Sequence, residues 1–182
     1  MTVHSGLAFG ASRFMVRHAL VARELGYEVL AILNERGPIE SLLIEHKIPY
    51  RVFPIVHAGL RRFWRKDLTL RETMSVPQSR RAFIRSFREV LLELDRPLVH
   101  IFSAFCSYAA YAAKQAGCRV IWHVQESREK GIEWALRAKR VAKWADRVVF
   151  VSKAIKQGYP APDDKAKTIY CFIDHPPEPA VE

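Results

Sequence analysis

Short apolar runs of strand length alternate along this sequence with longer amphipathic stretches, and that change of period leaves few folds open. Residues 28–33, 50–56, 98–102, 119–124 and 147–151 read as buried strands. Between them lie helical patterns over 12–25, 39–46, 80–94, 104–116 and 132–145, and a short helix from Ser152. Strands that alternate with helices predict an α/β fold, a Rossmann-like doubly wound sheet that is mostly parallel.

Local signals set the expected boundaries. Ser12 stands as N-cap of the first helix and Gly26 follows its end, while Pro38 suits the first turn of the second helix. Phe83, Phe87, Leu91 and Leu94 form one stripe of the helix over 80–94, and Gly117 closes the helix over 104–116. Segment 57–80 breaks the rhythm with Gly59 and Pro77 and is expected to be a loop, or a loop with a short amphipathic helix. A last strand is expected over Thr168–Ile173. Only Met1–His4 precede the first glycine loop, so the first strand is either very short or truncated. One domain is expected over 1–175, followed by a Pro-rich tail or the start of a crossover over 176–182.

The chain of 182 residues is 49% hydrophobic and 26% charged, enough for one packed core and short for two full domains. No apolar run approaches the roughly 20 residues of a spanning helix. The first residues show no basic region followed by an apolar core, so no signal peptide is expected. Cys106, Cys118 and Cys171 lack CxxC spacing and lie in or beside apolar segments. Free thiols and a reducing compartment follow, and no zinc site.

The charge is uneven. The chain carries 29 Lys and Arg against 19 Asp and Glu, a net +10, and residues 61–88 alone contribute +7 through nine basic groups and two acids. Arg61, Arg62, Arg65, Lys66, Arg80 and Arg81 surround Trp64 in this segment. Arginines interleaved with aromatic side chains suit the interface of an anionic bilayer first, a substrate phosphate second and nucleic acid third. No recognised nucleic-acid module accompanies them, so nucleic acid is not expected as a partner.

Three places could carry chemistry. The glycine loop from Ser5 to Ser12, with Gly6, Gly10 and Ser12, could cradle a phosphate at a helix N-terminus or simply make a tight turn. It matches neither GxGxxG nor the P-loop. His123 lies at the carboxyl end of a strand, where open parallel sheets bind ligands, and Glu126 in the same turn could orient its imidazole or bind a hydroxyl. Ser152, again at a strand's carboxyl end, reads as an N-cap that could also contribute to a polar pocket floor.

In their order, Gly10-Ala-Ser-Arg13, Gly26-Tyr-Glu-Val-Leu30, Gly37-Pro-Ile-Glu40, Lys47-Ile-Pro49, Val99-His100, Ala112–Gly117, Ile121-Trp-His123, Glu126 and Ala145–Ser152 resemble the amino-terminal domain of family-four glycosyltransferases. The similarity is greatest to bacterial members that build cell-surface polysaccharides. It implies one half of a GT-B architecture, in which the first domain takes the acceptor and a second grips the nucleotide-sugar. It implies retention of configuration with no obligatory metal or other cofactor, the nucleotide-sugar being a co-substrate. By position, Gly6 and Gly10 would approach the donor diphosphate and His123 the transferred sugar. The basic segment would meet a membrane bearing a lipid-linked or other amphiphilic acceptor, a peripheral place on its cytoplasmic face.

The chain also departs from the pattern. Phe9 replaces a glycine, Gln125 replaces an arginine, and Cys171-Phe-Ile-Asp174 replaces Asn-Gly-Ile-Asp. The implied second domain has no counterpart in these residues, so the chain alone is expected to be inactive unless a partner chain supplies it. The alternative is a non-catalytic binding or scaffold remnant of such an enzyme.

Overall fold

The computed structural model describes residues 2–3, 10–33, 35–53, 70–127 and 131–170. Seven strands form one sheet: β1 (Thr2–Val3), β2 (Ala31–Leu33), β3 (Tyr50–Val52), β4 (Val99–Phe102), β5 (Val120–Val124), β6 (Arg147–Phe150) and β7 (Ala166–Thr168). Six helices connect them: α1 (Gly10–Glu24), α2 (Ile39–Glu45), α3 (Leu70–Glu93), α4 (Ser107–Gln115), α5 (Ile132–Trp144) and α6 (Lys153–Gln157). The strand order is β3-β2-β1-β4-β5-β6-β7, and every pairing is parallel. The chain thus winds outward in one direction from β1 and in the other from β4, which opens a crevice at the carboxyl ends of those two strands.

Alternation along the strands assigns the two faces. Val99 and Ile101 of β4 and Val120, Trp122 and Val124 of β5 join the cluster that also buries Phe83, Phe87 and Leu91 of α3 and the alanines of α4. Phe83 and Phe87 stack at 14° and meet Phe53 at 5.6 and 5.5 Å. On the opposite face Phe102 packs with Met15, Val16 and Ala19 of α1 and with Ile39 and Leu43 of α2. Small side chains on α4 let it lie close to the sheet; Ala109, Ala110, Ala112 and Ala113 are all fully buried.

The expected glycine stops are present. Gly26 and Gly117 follow α1 and α4 with φ of 85° and 79°, a left-handed conformation that side chains disfavour. Ser152 is an N-cap, its Oγ accepting the Ile155 N–H at 3.1 Å.

Several boundaries differ from expectation. Helix α1 starts at Gly10, so Ser12 lies in the first turn, 2% exposed, rather than at the cap. Helix α3 starts at Leu70 and runs through Pro77 without a break, where a loop, or a loop with a short amphipathic helix, was expected; proline lacks the N–H of the i→i−4 bond but does not end the helix here. Strand β2 is shorter than 28–33 because its ladder extends only as far as its partners β1 and β3. Strand β7 is Ala166–Thr168, not 168–173: pairing of Val148 with Ala166 sets an earlier register on a half-exposed edge that needs little hydrophobicity. The Pro-rich tail lies outside the described residues.

Candidate active site

The crevice is bounded by the loops that leave β4 and β5. Ser103, just past β4, has φ of 130°, a conformation rare for a residue with a side chain. Three bonds hold it there: its N–H donates to the His123 carbonyl at 3.1 Å, its carbonyl accepts the Trp122 indole N–H at 2.8 Å, and its Oγ accepts the Phe105 N–H at 3.2 Å. The β5 loop is tied to it. Glu126 Oε2 accepts the Ala104 N–H at 3.0 Å and the Gln125 N–H at 3.3 Å. Glu126, read from the sequence as able to orient the His123 imidazole or bind a hydroxyl, fastens two loops together through these bonds.

His123 is 1% exposed, and neither ring nitrogen has a hydrogen-bond partner. Alternation sends it, with His100 and Phe102 of β4, to the face covered by α1. Phe14 and His18 of α1 pack edge-on against it at 4.9 and 5.3 Å. Burial, and then the nearby His18, push its pKa down to about 4, so the ring is neutral at ordinary pH. Gln125 Nε2 is likewise buried without a partner.

Behind the β4 loop, the Arg137 guanidinium of α5 lies over the Phe105 ring at 4.4 Å and over Trp134 at 5.9 Å. Tyr159 donates its hydroxyl to the Glu126 carbonyl at 3.3 Å and packs on Trp134 and Phe150. Burial, and then the Glu126 carboxylate, push the Tyr159 hydroxyl pKa up. These contacts give the crevice a rigid, aromatic rear wall. Sequence reasoning missed Ser103, His18 and Arg137; an isolated histidine or arginine on an amphipathic helix carries no signal of what it will face.

Gly10 opens α1 and is exposed, and a side chain there would meet open space. The first N–H groups of α1 have no intrahelical partners. Gly6, Arg61, Arg62, Trp64, Arg65 and Lys66 lie outside the described residues. Arg81 is exposed on α3, as are Arg85 and Arg88 along the same helix. Arg80 differs: its guanidinium covers the Tyr108 ring at 5.3 Å, within the α3–α4 contact. A cavity of about 460 Å³ beside α6 and β7, lined by Lys153, Lys156, Gln157 and Thr168 among others, shares no residue with the His123 crevice.

Among the described residues, no group of three or more His, Cys, Asp or Glu could hold a metal ion, and no helix is long and apolar enough to cross a membrane. Cys106 and Cys118 are free and buried.

The profile of Glycosyltransferase Family 4 matches residues 9–175. The fold is similar to that of Anabaena Alr3699/HepE in complex with UDP and glucose, at 18% identity and a TM-score of 0.69 over 93% of this chain and 42% of that one. The structure of HepE with UDP-glucose matches over the same shares, again at 0.69. Acinetobacter baumannii MurG matches at 17% identity and a TM-score of 0.62, over 89% of this chain and 42% of that one. The chain thus spans about two-fifths of the length of these structures. No curated protein matches it.

Proposed function

Since the chain belongs to Glycosyltransferase Family 4, we propose that it forms the acceptor-side half of a GT-B enzyme. The enzyme moves a sugar from a nucleotide-sugar to a glycan or lipid-linked acceptor, with retention of configuration and no bound metal. Grip on the donor nucleotide falls to a second Rossmann-like domain, in the same chain or in another. Bacterial cell-surface polysaccharide assembly is the process it serves.

One observation carries the reading. A histidine with two buried, unpartnered ring nitrogens lies at the carboxyl end of a strand beside the point where the sheet changes winding direction. A ligand hydroxyl reaching His123 would satisfy a group that the described residues leave unsatisfied. In this reading His123 touches the transferred sugar. Gly10 and Ser12 at the start of α1 are assigned to the donor diphosphate, where the helix dipole favours negative charge, together with Gly6, which lies outside the described residues. Ser152 stays an N-cap that shapes the floor. Glu126 holds the two loops at the spacing the substrate needs. HepE, whose fold is similar, was crystallised with UDP-glucose, which supports a nucleotide-sugar as donor.

The basic segment is assigned to an anionic membrane that presents the acceptor at the cytoplasmic face. Arg61, Arg62, Trp64, Arg65, Lys66 and Arg81 would meet it. The exposed positions of Arg81, Arg85 and Arg88 on α3 support that assignment. Arg80, laid over Tyr108, serves the helix packing instead.

The test is UDP release from UDP-sugars in the presence of membrane extract, by this chain alone and with a donor-binding domain. Turnover only with both supports the reading. Turnover by residues 1–182 alone would contradict the half-site assignment, and no turnover in any combination would favour a non-catalytic remnant.

A further inference from the structure

Four aromatic rings, two from β4 and two from α1, pack against His123. Phe102 and His100 of β4 lie nearly parallel to it, with ring centroids 5.5 and 5.7 Å away and planes 17° and 18° apart. Phe14 and His18, one turn apart on α1, meet it edge-on, both at 85°. His18 and His100 also touch each other, their rings 5.6 Å apart at 84°. The three imidazoles therefore form one buried cluster drawn from α1, β4 and β5.

Among the described residues, His18 has a hydrogen bond that fixes its tautomer. Its Nδ1 lies 2.9 Å from the Phe14 carbonyl, which can only accept, so Nδ1 carries the proton. His100 Nε2 and both nitrogens of His123 have no partner. A histidine that serves as a ligand or a base usually has one nitrogen held by a carbonyl or carboxylate. Here packing against rings takes that place. The desolvation cost of the His123 nitrogens is not returned by any described residue, and a substrate hydroxyl is a group that would return it.

We propose that His18 and His100 are positioning residues for His123, holding its ring in one orientation and uncharged so that it meets a substrate hydroxyl as a neutral hydrogen-bonding group. This rests on the proposed placement of His123 at the transferred sugar. The mechanism of the hold is mutual exclusion of charge. With three imidazoles in contact, a proton on any one repels a proton on the other two, and the surrounding phenylalanines offer no solvation.

The charges around the cluster agree. Burial, then His123, His18 and the chain's amino group push the His100 pKa down to about 2. Burial lowers that of His18 against the opposing pull of its bond to the Phe14 carbonyl. On α1 the other charged side chains are Arg13, Arg17, Arg23 and Glu24, all exposed. Strands β4 and β5 present no further ionisable side chain to this face, Gln125 being the next residue along it. No carboxylate of a described residue acts on His123 or His100. Among the described residues, no charged group would therefore stabilise an imidazolium at His123 or His100.

The test is a histidine side-chain NMR titration of the wild type, His18→Glu and His18→Gln, read beside the pH profile of sugar transfer in the assembled enzyme. In the wild type, the His123 signals should stay those of a neutral ring from pH 8 down to about 5.5. A carboxylate at position 18 should raise the His123 midpoint by about 1–3 pH units. Transfer by that variant should then fall, relative to wild type, as pH drops through the new midpoint. His18→Gln, which takes away one of the three mutually repelling imidazoles without adding a carboxylate, should raise the His123 midpoint and shift the transfer profile in the same direction by less than His18→Glu does. A merely structural role for His18 would lower activity by the same factor at every pH.

A wild-type His123 midpoint near 6.5 would overturn the proposal. So would a His18→Glu variant whose midpoint rises while its transfer profile stays that of the wild type. Should His18→Glu not fold, the wild-type titration and His18→Gln decide alone. Absence of transfer in the wild type would count against the sugar-site reading, whereas the titration tests the cluster without any turnover.

Discussion

The Glu126 carboxylate receives the backbone N–H of Ala104 at 3.0 Å, across 22 positions of sequence, and so fixes the loop after β5 to the loop after β4. A second backbone donor, Gln125, shares the same oxygen at 3.3 Å. Replacing Glu126 by Ala leaves both donors without that acceptor, at a cost of about 1–3 kcal/mol. The expected result is that loss in denaturant unfolding, together with faster hydrogen exchange at Ala104. Glu126→Gln keeps one acceptor oxygen and should lose less. Unchanged exchange at Ala104 in Glu126→Ala would show that the two loops are held by other means.

Asp146 plays the equivalent part at the opposite, amino-terminal end of the strands, between β5 and β6. Its Oδ2 accepts the Val120 N–H at 2.7 Å, and Lys114 Nζ reaches both oxygens at 2.9 and 3.0 Å. Burial raises its pKa, but the bonds from Lys114 and Val120 outweigh that and hold it below the usual carboxylate range. Asp146→Ala should cost about 1–3 kcal/mol, because the Val120 N–H at the start of a buried strand loses its acceptor. Lys114→Met should cost less than about 1 kcal/mol, since that pair is partly exposed and screened. Urea unfolding of the two variants checks the order. Equal losses would put the weight on the ion pair rather than on the backbone bond.

Stability should fall on mild acidification. His100 and His123 have folded-state pKa values of about 2 and about 4, well below the ordinary 6.5. Between those values and 6.5 the unfolded chain binds more protons than the folded one. Their contribution is therefore complete above about pH 6.5 and is lost as pH drops, at about 1.4 kcal/mol per pH unit for each group. Thermal or urea unfolding at pH 7.5, 6.5, 5.5 and 4.5 should show it, with a shallower slope in His100→Phe. Carboxylates such as Asp146, whose pKa is lowered, contribute to acid sensitivity only below about pH 4.5. A flat profile from pH 7.5 to 5 would contradict the burial of neutral histidines.

Liposome flotation tests the basic surface. Binding should require anionic lipid, weaken with added salt, and drop severalfold when Arg81 and Arg85 are both replaced by Glu. Arg80→Ala should act differently, lowering stability through loss of its contact with Tyr108. Equal flotation on neutral vesicles would refute the electrostatic account.

The parallel sheet was legible because its strands are bounded apolar runs and its helices carry Phe, Leu or Ala stripes at helical spacing. Gly26, Gly117 and Ser152 marked ends correctly, since a left-handed turn and a cap hydroxyl are local chemistry. Other boundaries were not local. The start of α3 could not be read past Pro77, because a proline argues against a continuing helix, whereas the helix runs from Leu70. Strand β7 is Ala-Lys-Thr, which carries no hydrophobic signal, and only its pairing with β6 makes it a strand. His123 and Glu126 were legible as candidates from their place after an apolar run. The ring box around His123 was not, because Phe14, His18, His100 and Phe102 meet only once α1 is laid across β4 and β5.

The account rests most heavily on His123, and the rate of sugar transfer by an assembled enzyme carrying His123→Ala tests it most directly. With the circular dichroism spectrum and the thermal transition checked against wild type, the account predicts a loss of at least about 100-fold in kcat. A rate within threefold of wild type would contradict it.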